Sequence, residues 1–275
     1  MKKLLLGYSP CPNDTFIFYA LVHNKIKGFV EFSEILRDVE VLNRMALLKE
    51  LDVTKVSYHA LGFLREDYCL LHSGSAIGKR CGPLLVAKKP IETSNLAGKT
   101  IAIPGKMTTA YLLLQMFNPD IKKIVEMPFD TIMNAVSLGT VDAGLIIHEG
   151  RFTYSAYHLV QVIDLGDWWE KETGFPIPLG GILAKRDLGA RLINHVDALL
   201  KKSIEYAFQN RELTREYIRI HSQELDNHVI DQHIDLYVND YTLDIKDGIA
   251  AVKKLLRTAD ELNLIPHSDK PLFIN

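Results

Sequence analysis

Short apolar runs alternate with stretches of helical spacing through the first two-thirds of the chain. Runs at 3–8, 28–33, 53–57, 84–88, 100–104, 123–127, 143–147 and 181–184 are predicted strands, and helices fit 13–22, 41–48, 108–117 and 131–138. Strand and helix in alternation imply βαβ units around a parallel sheet. Beyond Asp187 the period changes, and 190–209, 212–221, 227–237 and 245–262 read as helices. Val196, Leu199, Leu200 and Ile204 form an apolar face on the first of these.

Two internal echoes organise these elements. Helix 41–48 passes through Leu51-Asp52 into strand 53–57, and helix 131–138 passes through Val141-Asp142 into strand 143–147. Each phrase ends in a polar residue at the carboxyl end of its strand. A second echo pairs Gly82-Pro83-Leu84-Leu85-Val86-Ala87-Lys88 with Gly180-Gly181-Ile182-Leu183-Ala184-Lys185. Taken as crossover strands, these give one lobe of 1–86 plus 184–275 and a second of 87–183. The expected architecture is therefore α/β and two-lobed, with two crossover strands, a helical C-terminal segment and a ligand cleft closed by hinge motion.

Composition narrows the partners. Of 275 residues, 47% are hydrophobic and 24% charged, which excludes a disordered or fibrous chain. Lysine and arginine total 32 against 34 acidic residues, a net charge of −2, with no basic block to favour nucleic acid or a membrane surface. Met1-Lys2-Lys3 imitates an export signal, but only three leucines precede Gly7-Tyr8-Ser9, against the ~7–15 apolar residues such a signal needs. The segment reads as a first strand, and the protein is expected in the cytoplasm. No run approaches the ~20 apolar residues of a membrane span. Cys11, Cys69 and Cys81 are odd in number and lack CxxC spacing, arguing against a disulfide frame or structural zinc.

Open parallel sheets bind ligands beyond the carboxyl ends of their strands. Segments 9–14, 55–59, 105–110 and 148–151 occupy that position. Gly105-Lys106-Met107-Thr108-Thr109-Ala110 follows a strand and opens a helix, so two readings stand: a cap by Thr108 or Thr109, or an anion held by the free N–H groups. It is not a P-loop, because Met107 takes the Ser/Thr place and the upstream glycine is wrongly spaced. Two prolines stiffen Ser9-Pro10-Cys11-Pro12-Asn13-Asp14, where Asn13 or Asp14 can cap the next helix; cleft lining is the second reading for both. His148 is the sharpest candidate, placed at the end of the most apolar strand. An imidazole there can take a proton near neutral pH, an effect worth ~10²–10⁴-fold in rate. Strand alternation turns Glu149 away from it.

Metal chemistry finds little support: His228 and His233 are five apart and do not share a helix face, and His195, His221 and His267 read as solvated. No GxGxxG follows a strand, so a dinucleotide site is unsupported. Trp168-Trp169 and the following Gly174-Phe175-Pro176-Ile177-Pro178-Leu179-Gly180 read either as the wall of an aromatic pocket or as a stiff interlobe connection.

Taken in order, Ser9-Pro10-Cys11-Pro12-Asn13-Asp14-Thr15-Phe16, Lys55-Val56-Ser57, Thr109-Ala110, Gly144-Leu145-Ile146-Ile147-His148-Glu149-Gly150 and Trp168-Trp169 with Pro176-Ile177-Pro178-Leu179-Gly180-Gly181 resemble the 1,4-dihydroxy-6-naphthoate synthases of the futalosine route to menaquinone. The resemblance spans essentially the whole chain. It implies a fold like that of type II periplasmic binding proteins, recruited as a cytoplasmic carbon–carbon lyase. The reaction it implies converts cyclic dehypoxanthine futalosine to 1,4-dihydroxy-6-naphthoate and dihydroxyacetone. His148 then corresponds to the proton acceptor, and Lys55, Val56, Ser57, Thr109 and Ala110 to substrate-contacting residues. No metal or organic cofactor is implied, and the partner is a small carboxylate substrate. Ser57, Thr109 and the helix N–H groups would supply it with neutral donors, and Lys55 would meet it by side chain or by backbone. The sister chorismate dehydratase of the same pathway and a non-catalytic solute-binding module are the competing readings.

Overall fold

The computed structural model describes residues 2–222 and 226–274. The chain opens with β1 (Lys2–Tyr8), α1 (Pro12–Val22), β2 (Val30–Leu36), α2 (Val39–Leu47), β3 (Val53–Ser57), α3 (Tyr58–Leu64), β4 (Tyr68–Leu70) and β5 (Ala76–Gly78). Next come β6 (Leu84–Ala87), β7 (Thr100–Ile103), α4 (Thr109–Phe117), β8 (Lys123–Glu126), α5 (Phe129–Leu138), β9 (Ala143–Ile146), α6 (Gly150–Thr153), β10 (Val160–Asp164) and α7 (Leu165–Thr173). The last third holds β11 (Ile177–Lys185), α8 (Ala190–Gln209), α9 (Arg211–His221), α10 (Asn227–Tyr237), α11 (Asp240–Leu243) and α12 (Ile249–Glu261).

These strands form two sheets. The first runs β2-β1-β3-β11-β4, with β5 also paired to β11, and the second runs β10-β6-β9-β7-β8. Strands β1, β2 and β3 pair in parallel, as do β7, β8 and β9, each set built from the predicted βαβ phrases. Strands β6, β10 and β11 run antiparallel to their neighbours, so the sheets are mixed rather than wholly parallel. A chain leaving one sheet for the other arrives from the side where the parallel strands end, and so enters the new sheet in the opposite sense. Among the described residues, β6 pairs only within the second sheet and β11 only within the first.

The predicted face of α8 (Val196, Leu199, Leu200, Ile204) is buried with Phe16, Ile17 and Leu6, anchoring the C-terminal helices to the first sheet. In the second sheet, Leu85, Ile101, Ile103 and Leu145 are buried with Leu112 and Leu113 of α4. The helix expected over 245–262 is shorter: a single 3₁₀ turn at Ile245–Gly248 precedes α12. Asp244 accepts the Lys246 N–H there, and a Cβ on Gly248 would lie 2.8 Å from Ile77, so the chain turns sharply against β5 before the helix begins.

Between β5 and β6 the backbone of Gly82 lies directly on that of Gly166. A Cβ on Gly82 would meet the Gly166 Cα at 2.3 Å. Arg151 braces this contact by donating to the Gly82 carbonyl from Nε (3.2 Å) and Nη2 (3.0 Å) while pairing with Asp164. Gly82→Ala is expected to force the two backbones apart, lowering stability by about 1–3 kcal/mol. Thermal unfolding of the variant measures the cost, and a KM that rises together with it shows that the contact positions the cleft.

Candidate active site

A cavity of about 710 Å³ opens between the two sheets. Lys55, Val56, Ser57, Thr109, Ala110, His148, Asn13 and Asp14, separated by as much as 135 positions in sequence (148 − 13), all line it. The structure thus brings together every site residue selected from the sequence.

The β1–α1 turn supplies the first wall. Helix α1 is capped by Cys11 without a side-chain hydrogen bond, and Pro12 is its first residue. Proline's fixed φ starts the helix there, so Asn13 and Asp14 fall inside the first turn and do not cap it. Asp14 Oδ2 accepts the Ser9 N–H at 3.2 Å, and Asp14 Oδ1 accepts from Asn13 Nδ2 at 2.8 Å. Lys55, from the centre of β3, donates to the same Oδ1 at 2.9 Å, with both side chains buried. The Lys55 charge is therefore neutralised inside the protein, leaving neutral donors to recognise an anion.

Ser57 ends β3 and precedes α3, yet its hydroxyl caps nothing. Asn43 holds the residue twice, accepting the Ser57 N–H at 2.9 Å and donating to Ser57 Oγ at 3.2 Å. The hydroxyl proton stays available to the cavity. Across from it, Thr108 caps α4, accepting the Tyr111 N–H at 3.2 Å while donating to the Gly105 carbonyl at 2.7 Å. Thr109 differs from expectation: its hydroxyl donates to the Leu179 carbonyl at 2.7 Å, so its proton is spent on β11 and not on a ligand. Of the three first-turn N–H groups without a backbone acceptor in α4, Thr108 takes that of Tyr111, and those of Thr109 and Ala110 remain. Glu40 of α2 reaches over to accept the Met107 N–H at 3.1 Å, and burial raises its carboxyl pKa above the ordinary value.

His148 is not the last residue of a strand. Strand β9 ends at Ile146, and His148 stands two residues beyond it with φ at 55°, in the left-handed region. Holding a β-carbon there costs of order 1–3 kcal/mol, strain characteristic of functional positions. Its Nε2 is buried without a hydrogen-bond partner in the protein, and its ring packs edge-on to Phe129 at 5.0 Å. Because the strand has ended, alternation does not govern Glu149, which is buried and borders a second cavity of about 600 Å³ with Asp130, Thr153 and Tyr157.

His233 is the residue that sequence reasoning missed. It is fully buried on α10, lines the main cavity and lies nearly parallel to His148, with ring centroids 6.3 Å apart. Its Nε2 is 2.9 Å from Asn13 Oδ1. The available signal was its place in the stripe Ile230, His233, Ile234, Tyr237, the buried face of α10. A search for ligands on one helix overlooked it because its partner lies 220 residues away. Burial, then the charges of His148 and Lys55, depress its pKa well below the usual imidazole value; burial also lowers that of His59 on α3. A histidine buried in its neutral form binds fewer protons folded than unfolded, so stability is full above pH ~6.5 and falls as the pH drops below it. Each such group removes up to about 1.4 kcal/mol per pH unit over that window. The unfolding midpoint is expected to fall between pH 7 and 5, and less steeply in His59→Asn.

The remaining candidates sort differently from expectation. Trp169 is buried in the core with its indole N–H on the Pro176 carbonyl at 3.3 Å, and Trp168 packs edge-on to Phe117. Neither lines the cavity; Leu179 and Gly180 of the same stretch do. Burial pushes the Cys11 thiol well above its ordinary pKa, removing a thiolate from consideration. His195 stacks on Phe29 at 3.7 Å instead of standing in solvent, and His221 packs against Tyr217, while His267 is exposed and pairs with Asp260. Among the described residues, no cluster of three or more His, Cys, Asp or Glu side chains is arranged to hold a metal ion. No helix among them is long and apolar enough to cross a membrane.

Residues 4–261 match the family model described as menaquinone biosynthesis. The chain belongs to the menaquinone-biosynthesis family. A 1,4-dihydroxy-6-naphthoate synthase from Thermus thermophilus is 48% identical over 275 residues, covering all of both chains. The structure of a protein from Archaeoglobus fulgidus superposes with a TM-score of 0.91 at 40% identity, covering 96% of this chain and 98% of that one. The alkanesulfonate-binding protein SsuA from Xanthomonas axonopodis pv. citri superposes with a TM-score of 0.70 at 14% identity, covering 97% and 95%. This family member therefore has the periplasmic-binding-protein fold expected from its sequence.

Proposed function

We propose that the chain is the naphthoate-forming lyase of menaquinone biosynthesis, converting cyclic dehypoxanthine futalosine to 1,4-dihydroxy-6-naphthoate and dihydroxyacetone in the cytoplasm. Full-length similarity to a synthase of that name supports this over the chorismate dehydratase reading. The observation that carries the mechanism is the unpartnered His148 Nε2 beside a cavity otherwise provided with neutral donors.

In this reading residues 1–86 with 184–275 and residues 87–183 are two lobes that close on the substrate. The substrate carboxylate lies against the Ser57 hydroxyl and the N–H groups of Thr109 and Ala110, with the α4 terminus adding ~0.3–1 kcal/mol. Lys55 serves through its strand backbone and through its hold on Asp14, because its ammonium is already paired. His148 Nε2 removes a proton, the ring carbon–carbon bond breaks in a retro-aldol sense, and aromatisation of the remaining bicycle makes the step downhill. Closure excludes water and fixes the reacting groups.

Incubation of the protein with the cyclic futalosine derivative is expected to yield the dihydroxynaphthoate and dihydroxyacetone in equal amounts. Turnover of chorismate instead would assign the sister reaction. Tight binding of the derivative without turnover would leave only a solute-binding module.

A further inference from the structure

Helix α2 packs on β1 and β3 of the first sheet, yet its first turn reaches across to the second. Asp38 caps the helix by accepting the Glu40 N–H at 2.9 Å, which places Glu40 at the second helical position with its side chain enclosed. Glu40 Oε2 accepts the Met107 N–H at 3.1 Å, from the loop that joins β7 to α4. The fit is close: a Cβ on Gly105 would lie 2.4 Å from the Glu40 carboxyl, so only glycine lets the loop pass it. Arg44, one turn along α2, donates to Glu40 Oε1 at 3.2 Å and also pairs with Glu126 at the end of β8. Hydrogen bonds to an ionised acceptor are roughly twice as strong as neutral ones, so this carboxylate is a firm tie between the sheets.

The same carboxylate adjoins both halves of the place assigned to the substrate carboxylate. Asn43 Nδ2 stands 3.5 Å from Glu40 Oε2 and donates to Ser57 Oγ at 3.2 Å. Asn43 Oδ1 accepts the Ser57 N–H at 2.9 Å, which fixes the amide in this orientation and leaves the serine proton for a ligand. On the other side, Glu40 takes the N–H just before the cap of α4, leaving those of Thr109 and Ala110 open. The Leu179 carbonyl and the His59 N–H hold Thr109 to β11 and α3. The bond from Glu40 holds the start of α4 to α2 and, through Asn43, to Ser57. Glu40 does not itself line the cavity, and Arg44 compensates its charge, so it acts through its neighbours and not on the anion.

We propose that Glu40 is a positioning residue for the substrate carboxylate, acting through Asn43 and Met107 to hold the Ser57 hydroxyl and the first N–H groups of α4 at the spacing one carboxylate bridges. The proposal rests on the carboxylate lying against Ser57 and the start of α4. Without Glu40 the two halves match in only a fraction of molecules, and apparent affinity falls by that fraction. Once bound, the substrate bridges the halves itself, so the loss falls on KM and spares kcat.

Reach and charge are separated by two substitutions. Glu40→Gln keeps the length and one acceptor oxygen for Met107, while the exposed Arg44 turns to Glu126. Glu40→Asp keeps the charge but is one methylene too short. Initial rates are measured with the cyclic futalosine derivative and with its carboxamide, at a temperature where melting curves show each variant folded. Glu40→Ala and Glu40→Asp should raise KM about tenfold or more with kcat little changed, and Glu40→Gln should recover most of the loss. With the carboxamide, Glu40→Asp and the unaltered enzyme should differ little. An unchanged KM in Glu40→Asp, equal losses in the Gln and Asp variants, or the same KM ratio on the carboxamide would overturn the proposal. Ser57→Ala keeps the two readings apart: an unchanged KM there removes the carboxylate from this place and the proposal with it, whereas a raised KM beside an unaffected Glu40→Asp removes only the role of Glu40.

Discussion

Replacing His148 by alanine is expected to lower kcat by about 10²–10⁴-fold, the range for loss of a positioned general base. The fold should survive. His148 lies in a turn, half-buried, with Phe129 and His233 as its ring contacts, and its left-handed backbone is a source of strain. Alanine keeps the β-carbon and the backbone strain with it, so only the packing of a half-buried ring is lost and the unfolding midpoint should fall only slightly. Substrate should still bind, because Ser57, Asn43 and the start of α4 are untouched. The readouts are initial-rate kinetics, a binding isotherm and a melting curve. A variant of normal activity would remove His148 from the mechanism, while one that unfolds or fails to bind would recast it as a structural residue. His148→Gly makes the backbone contribution visible, since glycine takes the positive φ without cost.

The βαβ phrases that build both sheets, and Ser57 at the end of β3, were legible because each depends on local periodicity, whereas His148 stands two residues past the end of β9. The period of two in a strand and 3.6 in a helix reaches over four to twenty residues, and Val53–Ser57 or Ala190–Gln209 display it openly. Three-residue strands such as Tyr68–Leu70 and Ala76–Gly78 contain too little of either period to be seen. They exist because β11 offers them edge hydrogen bonds. The sense of β11 was likewise hidden, since strand direction depends on which side the chain enters from. Within the site, Asn13 and Asp14 looked like helix caps because their residue types favour that role. Pro12 starts the helix two residues earlier than a cap at Asn13 permits and three earlier than one at Asp14, and both side chains line the cavity. His233 was invisible for a different reason. A buried histidine whose hydrogen-bond partner lies 220 positions away leaves no local pattern, only a polar residue in an apolar stripe. Glu149 does face a different cavity from His148, but strand alternation is not the reason, because β9 has ended at Ile146.

Breaking the buried Lys55–Asp14 pair should have the largest effect on stability of any single change at the site. Both side chains are almost wholly enclosed, and the ammonium nitrogen lies 2.9 Å from the carboxylate. Removing one partner from such a pair costs roughly 3–5 kcal/mol, because the other is left charged and out of water. The two halves are not equivalent. Asp14→Asn strands the Lys55 ammonium without an anion, and an amide restores only a neutral acceptor. Lys55→Met leaves the Asp14 carboxylate with the Ser9 N–H and the Asn13 amide still bonded to it, so its loss should be smaller. A midpoint shift on the order of 10 °C is expected for Asp14→Asn, given about 2–4 °C per kcal/mol in a chain of this size class. The double variant removes both charges and should be more stable than Asp14→Asn alone, giving a strong positive coupling in the cycle. Activity should separate from stability: Lys55→Met leaves the Asp14 carboxylate uncompensated on the wall of the cavity that receives the substrate carboxylate, so KM should rise even at temperatures where the protein is fully folded. Additive stability losses in the double variant, or a KM unchanged in Lys55→Met, would show that the pair neither stabilises the closed wall nor shields the substrate from Asp14.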